Sequence, residues 1–165
     1  MNPMNRAVFF NRDKVLDRSG PVSGSGEAIR RLNESGFKVV LLSNQPGVAR
    51  GEITEDSLQV ADKKMQREML SAGAYIDAIY HCTHHPDFGL YPHRMDCDCR
   101  KPSAGLIFRA KSRLNIDLAE SFLVGIDEED LEMGRSAGLK TIVAKTPSDA
   151  VESIFTRGIG AGAGR

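Results

Sequence analysis

No sign of charge predominates in this 165-residue chain: 22 basic residues stand against 22 acidic ones, and the formal net charge is zero. A global field that would draw it to nucleic acid or to an anionic membrane is therefore missing, and any anion it binds must be held by local groups. Long hydrophobic runs are missing as well. No segment approaches the roughly 20 apolar residues of a membrane span, and residues 1–6 are too short and polar for a signal peptide, so a cytoplasmic location is the expectation. Cysteine is scarce and odd in number. Cys82, Cys97 and Cys99 all fall within one window of 18 residues, which argues against a disulfide framework and for a local metal site. The remainder, with 41% hydrophobic residues overall, suits a single globular domain. It is expected to span residues 1–157, with 158–165 (GIGAGAGR) as a flexible tail.

Short β-rich apolar runs alternate with segments of helical period, the pattern of a parallel sheet covered by helices. The runs are 7–10, 39–42, 76–80, 122–126 and 141–144. Between them, Ala28, Ile29 and Leu32 share one face of a helix that ends by Gly36. Thr54 with Ser57 opens a longer helix, along which Leu58, Ala61, Met65, Met69 and Leu70 recur at intervals of three and four. Leu106, Ile107, Ala110 and Leu114 mark a third helix, residues 131–137 a fourth, and Pro147 suits the first turn of a last one. Parallel strands gather function outside their carboxyl ends. The segments of interest are therefore 11–14, 43–51, 82–102 and 125–130.

The window HCTHHPDFGLYPHRMDCDCRKP holds Cys-x-His at Cys82 and His84 and Cys-x-Cys at Cys97 and Cys99, with 12 residues between the pairs. Zinc favours a tetrahedral set of thiolate and imidazole ligands, and two chelating pairs joined by a loop can close such a site. Four protein ligands leave no open position, so the zinc would be structural. His81, His85 and His93 read as solvated or supporting groups, with His85 the alternative to His84.

Taken together, the strand ending in N-R-D, SNQPGVARG, CTHHP, CDCRKP and VGIDEED resemble the haloacid-dehalogenase (HAD) superfamily. Within it they are similar to the zinc-containing branch of D-glycero-D-manno-heptose-1,7-bisphosphate and histidinol-phosphate phosphatases, over about residues 7–144. The resemblance implies an α/β fold: a HAD-like doubly wound parallel sheet with helices on both faces, a zinc-binding loop and no large cap domain. It also implies phosphatase chemistry in carbohydrate metabolism, in which an aspartate attacks phosphorus and a second, two residues on, protonates the leaving group. By that match Asn11 sits at the nucleophile position, Asp13 at the acid/base position, Ser43 at the phosphate-binding hydroxyl and Lys101 at the phosphate-binding lysine. Ile126 falls where the magnesium aspartate belongs, and Asp130 where a residue supports the metal and the lysine. Asn44, Arg50 and Arg100 join Ser43 and Lys101 as groups able to grip phosphate. For the two arginines the alternative is solvated surface charge, and for Ser43 a capping hydroxyl.

Two of these positions depart from the chemistry. A neutral amide is a far poorer nucleophile than a carboxylate, so Asn11 cannot form an acyl phosphate. Magnesium requires hard, anionic oxygen ligands, and Ile126 offers none. The magnesium site, Asn11, Asp13, Ile126, Asp127 and Asp130, is thus degenerate, and magnesium is a doubtful cofactor. Asp127 would point to the other side of a continuing strand, and with Glu128, Glu129 and Asp130 it reads as an acidic first helical turn. Lys14 stands where the family carries glycine and brings an ammonium toward the cation position, while the loop DRSGPVSGS is shorter than the family's. The expectation is a monomeric phosphatase homologue, a pseudoenzyme with lost or weakened phosphoryl transfer, that binds a phosphorylated sugar or a protein partner. An active magnesium-dependent sugar-phosphate phosphatase, and an assembly protein using the zinc loop, are the alternatives.

Overall fold

In the first strand Val8 and Phe10 join one buried cluster while Ala7 and Phe9 join another, because successive side chains point to opposite faces of a strand. The same alternation runs through the other strands and gives the sheet two apolar faces. The computed structural model describes residues 2–17 and 19–158. In chain order the elements are β1 (Arg6–Asn11), α1 (Arg12–Val15), β2 (Leu16–Asp17), β3 (Gly20–Pro21), α2 (Ser25–Glu34), β4 (Phe37–Asn44) and α3 (Pro46–Ala49). They continue as α4 (Glu55–Ser71), β5 (Ala78–Cys82), α5 (Gly105–Leu114), β6 (Phe122–Gly125), α6 (Glu128–Ala137), β7 (Lys140–Val143) and α7 (Pro147–Gly158).

The main sheet has five strands in the order β5-β4-β1-β6-β7, and each neighbouring pair is parallel. The chain adds strands on one side of β1, then crosses back and adds β6 and β7 on the other side. Right-handed crossovers send the connecting helices of the two halves to opposite faces. Accordingly Ile29 and Leu32 of α2, Met65 and Met69 of α4 and Val151 and Ile154 of α7 pack on one face. Leu106, Ile107 and Ala110 of α5 and Met133 of α6 cover the other. The direction reverses at β1, so the ends of β1, β4 and β6 open into a crevice. The expected HAD-like doubly wound sheet with helices on both faces is the observed fold.

Several boundaries differ from the sequence expectation, each for a visible reason. β5 begins at Ala78, not at residue 76: the Asp77 carboxylate takes the Val39 N–H at 2.8 Å and its own N–H donates to the Val39 carbonyl, so the regular ladder starts one residue later. β6 stops at Gly125 instead of continuing through Ile126, because Asp130 accepts the Ile126 N–H at 3.3 Å and draws the chain into the next helix. A Cβ on Gly125 would lie 2.5 Å from the Asp130 Cβ, so only glycine fits that turn. The loop after β1 contains the small antiparallel pair β2–β3. Thr54 and Ser57 bond reciprocally at the start of α4, as the capping pattern implies. Gly158, expected to begin the tail, closes α7, and residues 159–165 lie outside the described residues.

Candidate functional site

The crevice is built from the last residues of β1, β4 and β6. Asn11 ends β1, and its side-chain oxygen accepts the Asp13 N–H at 3.1 Å, so the amide caps the single turn α1. Asp13 is exposed, with the Arg12 guanidinium 3.7 Å from its carboxylate. Lys14 is half-buried in the same turn. On the next strand, Ile126 follows β6 and is 42% exposed, so it offers a hydrocarbon face and no ligand atom. Asp127 does not extend the strand and does not sit within the helix turn as expected. It is the N-cap of α6, accepting the Asp130 N–H at 2.9 Å, while Glu128, Glu129 and Asp130 form the acidic first turn. That use of its carboxylate explains why it faces the helix and not the crevice.

Lys101 enters from the long loop after β5. Its Nζ lies 2.7 Å from the Asp130 carboxylate, with side chains only 10% and 3% exposed. The Lys101 N–H also donates to the Asn44 side-chain oxygen at 3.3 Å, tying that loop to the end of β4. A buried pair stripped of one partner leaves an uncompensated charge. Lys101→Met is therefore expected to destabilise the fold by about 3–5 kcal/mol, read as a lower urea midpoint, whereas Lys101→Met with Asp130→Asn should recover a large part of the loss.

Ser43 is buried at the end of β4, and of the two readings of His81, solvated or supporting, the structure favours the second, with Ser43 as the residue it supports. His81 Nδ1 lies 2.7 Å from Ser43 Oγ, and its Nε2 lies 2.6 Å from the Asp62 carboxylate. The other oxygen of Asp62 accepts from Arg12 Nε at 3.0 Å, and Gln45 donates to Ser43 Oγ at 3.2 Å. Strand register makes this inevitable: Ser43 pairs with His81 across β4 and β5, and both face α4, which supplies Asp62. Sequence reading missed Asp62 and Arg12 because their convergence links residues 50 apart. Only the polar interruption of the α4 core stripe at Asp62 hinted at it.

The other cationic candidates lie around the long loop. Arg50 is half-exposed over the Phe88 ring, 4.7 Å from its centroid, and 4.0 Å from Glu52. Arg100 donates to the His84 carbonyl at 3.4 Å. Arg50 thus rests on the loop, while Ser43 and Asn44 end β4 and Lys101 runs from Asn44 to Asp130 of α6.

Below them Cys82, His84, Cys97 and Cys99 converge, their ligand atoms all within 4.8 Å of one another. The sulfur–sulfur separations are 3.1, 3.4 and 3.6 Å, and His84 Nδ1 is 3.2 Å from Cys99 Sγ. A tetrahedral cation with metal–sulfur bonds of about 2.3 Å spaces its donors about 3.7 Å apart, so the sulfur–nitrogen cage is the right size and chemistry for a metal ion. Burial pushes the Cys82 and Cys99 thiols above the ordinary range. For Cys97 burial acts in the same direction but is outweighed by hydrogen bonds from Cys99, and its thiol falls below that range. His85, the alternative ligand, instead stacks on Phe88 with ring centroids 3.3 Å apart.

Comparison with known proteins adds an identity to this geometry. A HAD-hydrolase-like family model matches residues 98–155. The D-glycero-beta-D-manno-heptose-1,7-bisphosphate 7-phosphatase of Pasteurella multocida (strain Pm70) is 36% identical over 160 residues, covering 90% of this chain and 86% of that protein. The chain belongs to this HAD-like heptose-bisphosphate phosphatase family. The same-named protein of Escherichia coli (strain K12) is 33% identical over 83% of this chain and 77% of its own. Among solved structures, the D,D-heptose 1,7-bisphosphate phosphatase of B. bronchiseptica complexed with magnesium and phosphate superposes with a TM-score of 0.73 at 29% identity. It covers 90% of this chain and 86% of that one. Against this heptose-bisphosphate phosphatase background, the side chains at 11 and 126 are an amide and a hydrocarbon, while the Lys101–Asp130 pair is complete. No helix among the described residues is long and apolar enough to cross a membrane.

Proposed function

We propose that this chain is a heptose-bisphosphate phosphatase homologue that has lost, or nearly lost, phosphoryl transfer and retains binding of a phosphorylated sugar. One observation carries the reading: neither of the adjoining strands β1 and β6 ends on a carboxylate, since Asn11 caps α1 and Ile126 follows Gly125. Without an anionic nucleophile there is no acyl phosphate, and without anionic oxygens at both positions a magnesium ion lacks the ligands that would offset charge on the phosphoryl group. The grip is a separate matter. Ser43, Lys101 and the Lys14 ammonium remain to hold an anion by charge-assisted hydrogen bonds, with the Lys14 charge taking the place of the cation. Zinc on Cys82, His84, Cys97 and Cys99 is structural in this reading: it fixes the loop that carries Arg100 and Lys101. The protein acts as a monomer, and a protein partner is a secondary possibility for the same surface.

The test is an assay of the purified chain with excess magnesium on D-glycero-D-manno-heptose 1,7-bisphosphate and on an aryl phosphate, beside phosphate binding by calorimetry. Binding weakened by Ser43→Ala, with hydrolysis at background, is expected. Turnover of about 1 s⁻¹ or more, abolished by Asp13→Ala, would sink the reading. The second reading, a working phosphatase, draws on the exposed Asp13 and the complete Lys101–Asp130 pair.

A further inference from the structure

A cleft of about 670 Å³ opens between β5 and α5, away from the crevice. Helical period puts Phe108, Arg109, Ser112 and Arg113 on one stripe of α5 facing it, while Leu106, Ile107 and Ala110 face the sheet. Across the cleft stands Tyr80. Its neighbour His81 reaches toward Asp62 of α4, on one face of the sheet. Tyr80 packs against the core under α5, on the other face, so the cleft and the Ser43–His81–Asp62 chain lie on opposite sides.

Three features of this cleft lack a partner. The Tyr80 hydroxyl is buried and has no hydrogen-bond partner among the described residues, a state that folded proteins rarely leave without a ligand or water. Arg113 makes no ion pair among the described residues, whereas Arg109 is partly neutralised by Asp98 at 3.4 Å. Phe108 is 47% exposed beside them. A phenol donor and a guanidinium without an ion pair among the described residues line the same cleft and suit an acceptor-rich anion, and an open aromatic face matches a flat ring. Ser112, between the arginines, adds a hydroxyl that both donates and accepts.

We propose that the cleft between β5 and α5 binds a small planar-ring compound carrying a carboxylate or phosphate, held by Tyr80 and Arg113 and stacked on Phe108. The test titrates the full chain by calorimetry with benzoate and with adenosine 5′-monophosphate, the two arms separating carboxylate from phosphate. Acetate and adenosine serve as anion without ring and ring without anion. At least one ringed anion should bind more tightly than both controls. Arg113→Ala should weaken it about tenfold or more, and Ser43→Ala, which acts on phosphate held in the crevice, should leave the Arg113-dependent component unchanged. Tyr80→Phe should weaken the ligand and at the same time raise the melting temperature of the ligand-free protein, because it removes a buried hydroxyl without a partner. The proposal is overturned if neither ringed anion binds at millimolar concentration, if binding survives Arg113→Ala, if Ser43→Ala abolishes it, or if Tyr80→Phe lowers the ligand-free melting temperature.

Discussion

Asn11→Asp combined with Ile126→Asp is expected to raise magnesium-dependent hydrolysis of an aryl phosphate by about 10³-fold or more over the unmodified chain. Groups that act as one catalytic unit are strongly non-additive, and losing a nucleophile costs on the order of 10⁶ in other hydrolases. Each single change should therefore recover little: an aspartate at 11 without its metal meets the full charge of the phosphoryl group, and a metal ligand at 126 without a nucleophile has nothing to activate. The fold should tolerate both. Aspartate caps a helix as well as asparagine does, so the bond from the Asp13 N–H survives. Ile126 is 42% exposed, and its backbone N–H already bonds Asp130, so its replacement should change stability by no more than about 0.5 kcal/mol. A folded, phosphate-binding double variant that gains no activity would show that the side chains at these two positions do not limit hydrolysis, and would move attention to Lys14.

Stripping the metal, or replacing a ligand by Cys99→Ser, is expected to lower unfolding free energy by about 4 kcal/mol or more, since binding energy at a structural site is folding energy. The loss should spread beyond the loop. Cys99 is two residues from Lys101, which pairs with Asp130 and reaches Asn44, so phosphate binding should fall in parallel with stability. The pH dependence has a defined sign. Burial holds the Cys82 and Cys99 thiols protonated above the ordinary range in the metal-free site, so the metal must displace those protons. Affinity should rise with pH through and above neutrality and fall on acidification, up to about tenfold per pH unit for each proton displaced. Competition with a chelator at several pH values, with released protons followed in weak buffer, measures it. Affinity independent of pH, or a melting temperature unmoved by chelation, would contradict a thiolate-held structural metal.

Much of this was legible in the chain itself. Local chemistry set the elements wherever period and cap agreed: Thr54 and Ser57 opened α4, Pro147 began α7, and the five apolar runs became the five strands of the main sheet. The convergence of Cys82, His84, Cys97 and Cys99 was legible for the same reason, because Cys82 and His84 lie two apart, as do Cys97 and Cys99, and short chelating pairs carry most of their geometry in the spacing. That positions 11 and 126 carry an amide and a hydrocarbon was legible because a residue either has a carboxylate or does not.

What the sequence could not carry was contact between distant segments. Asp77 shifts the start of β5 because it meets the Val39 N–H of the neighbouring strand, 38 positions away, whereas the bonds by which Asp130 ends β6 and Asp127 caps α6 are local, spanning four and three positions. His81 looked like a spare histidine of the metal window until strand register set it opposite Ser43 and helix packing brought Asp62 and Arg12 behind it. By itself, then, the sequence determined which atoms this protein possesses at its strand ends and in its Cys/His loop. The tertiary structure alone decided which buried polar groups meet and which, like the Tyr80 hydroxyl, are left without a partner. Hydrogen bonds between residues 19 to 50 positions apart have no period or spacing by which a sequence can announce them.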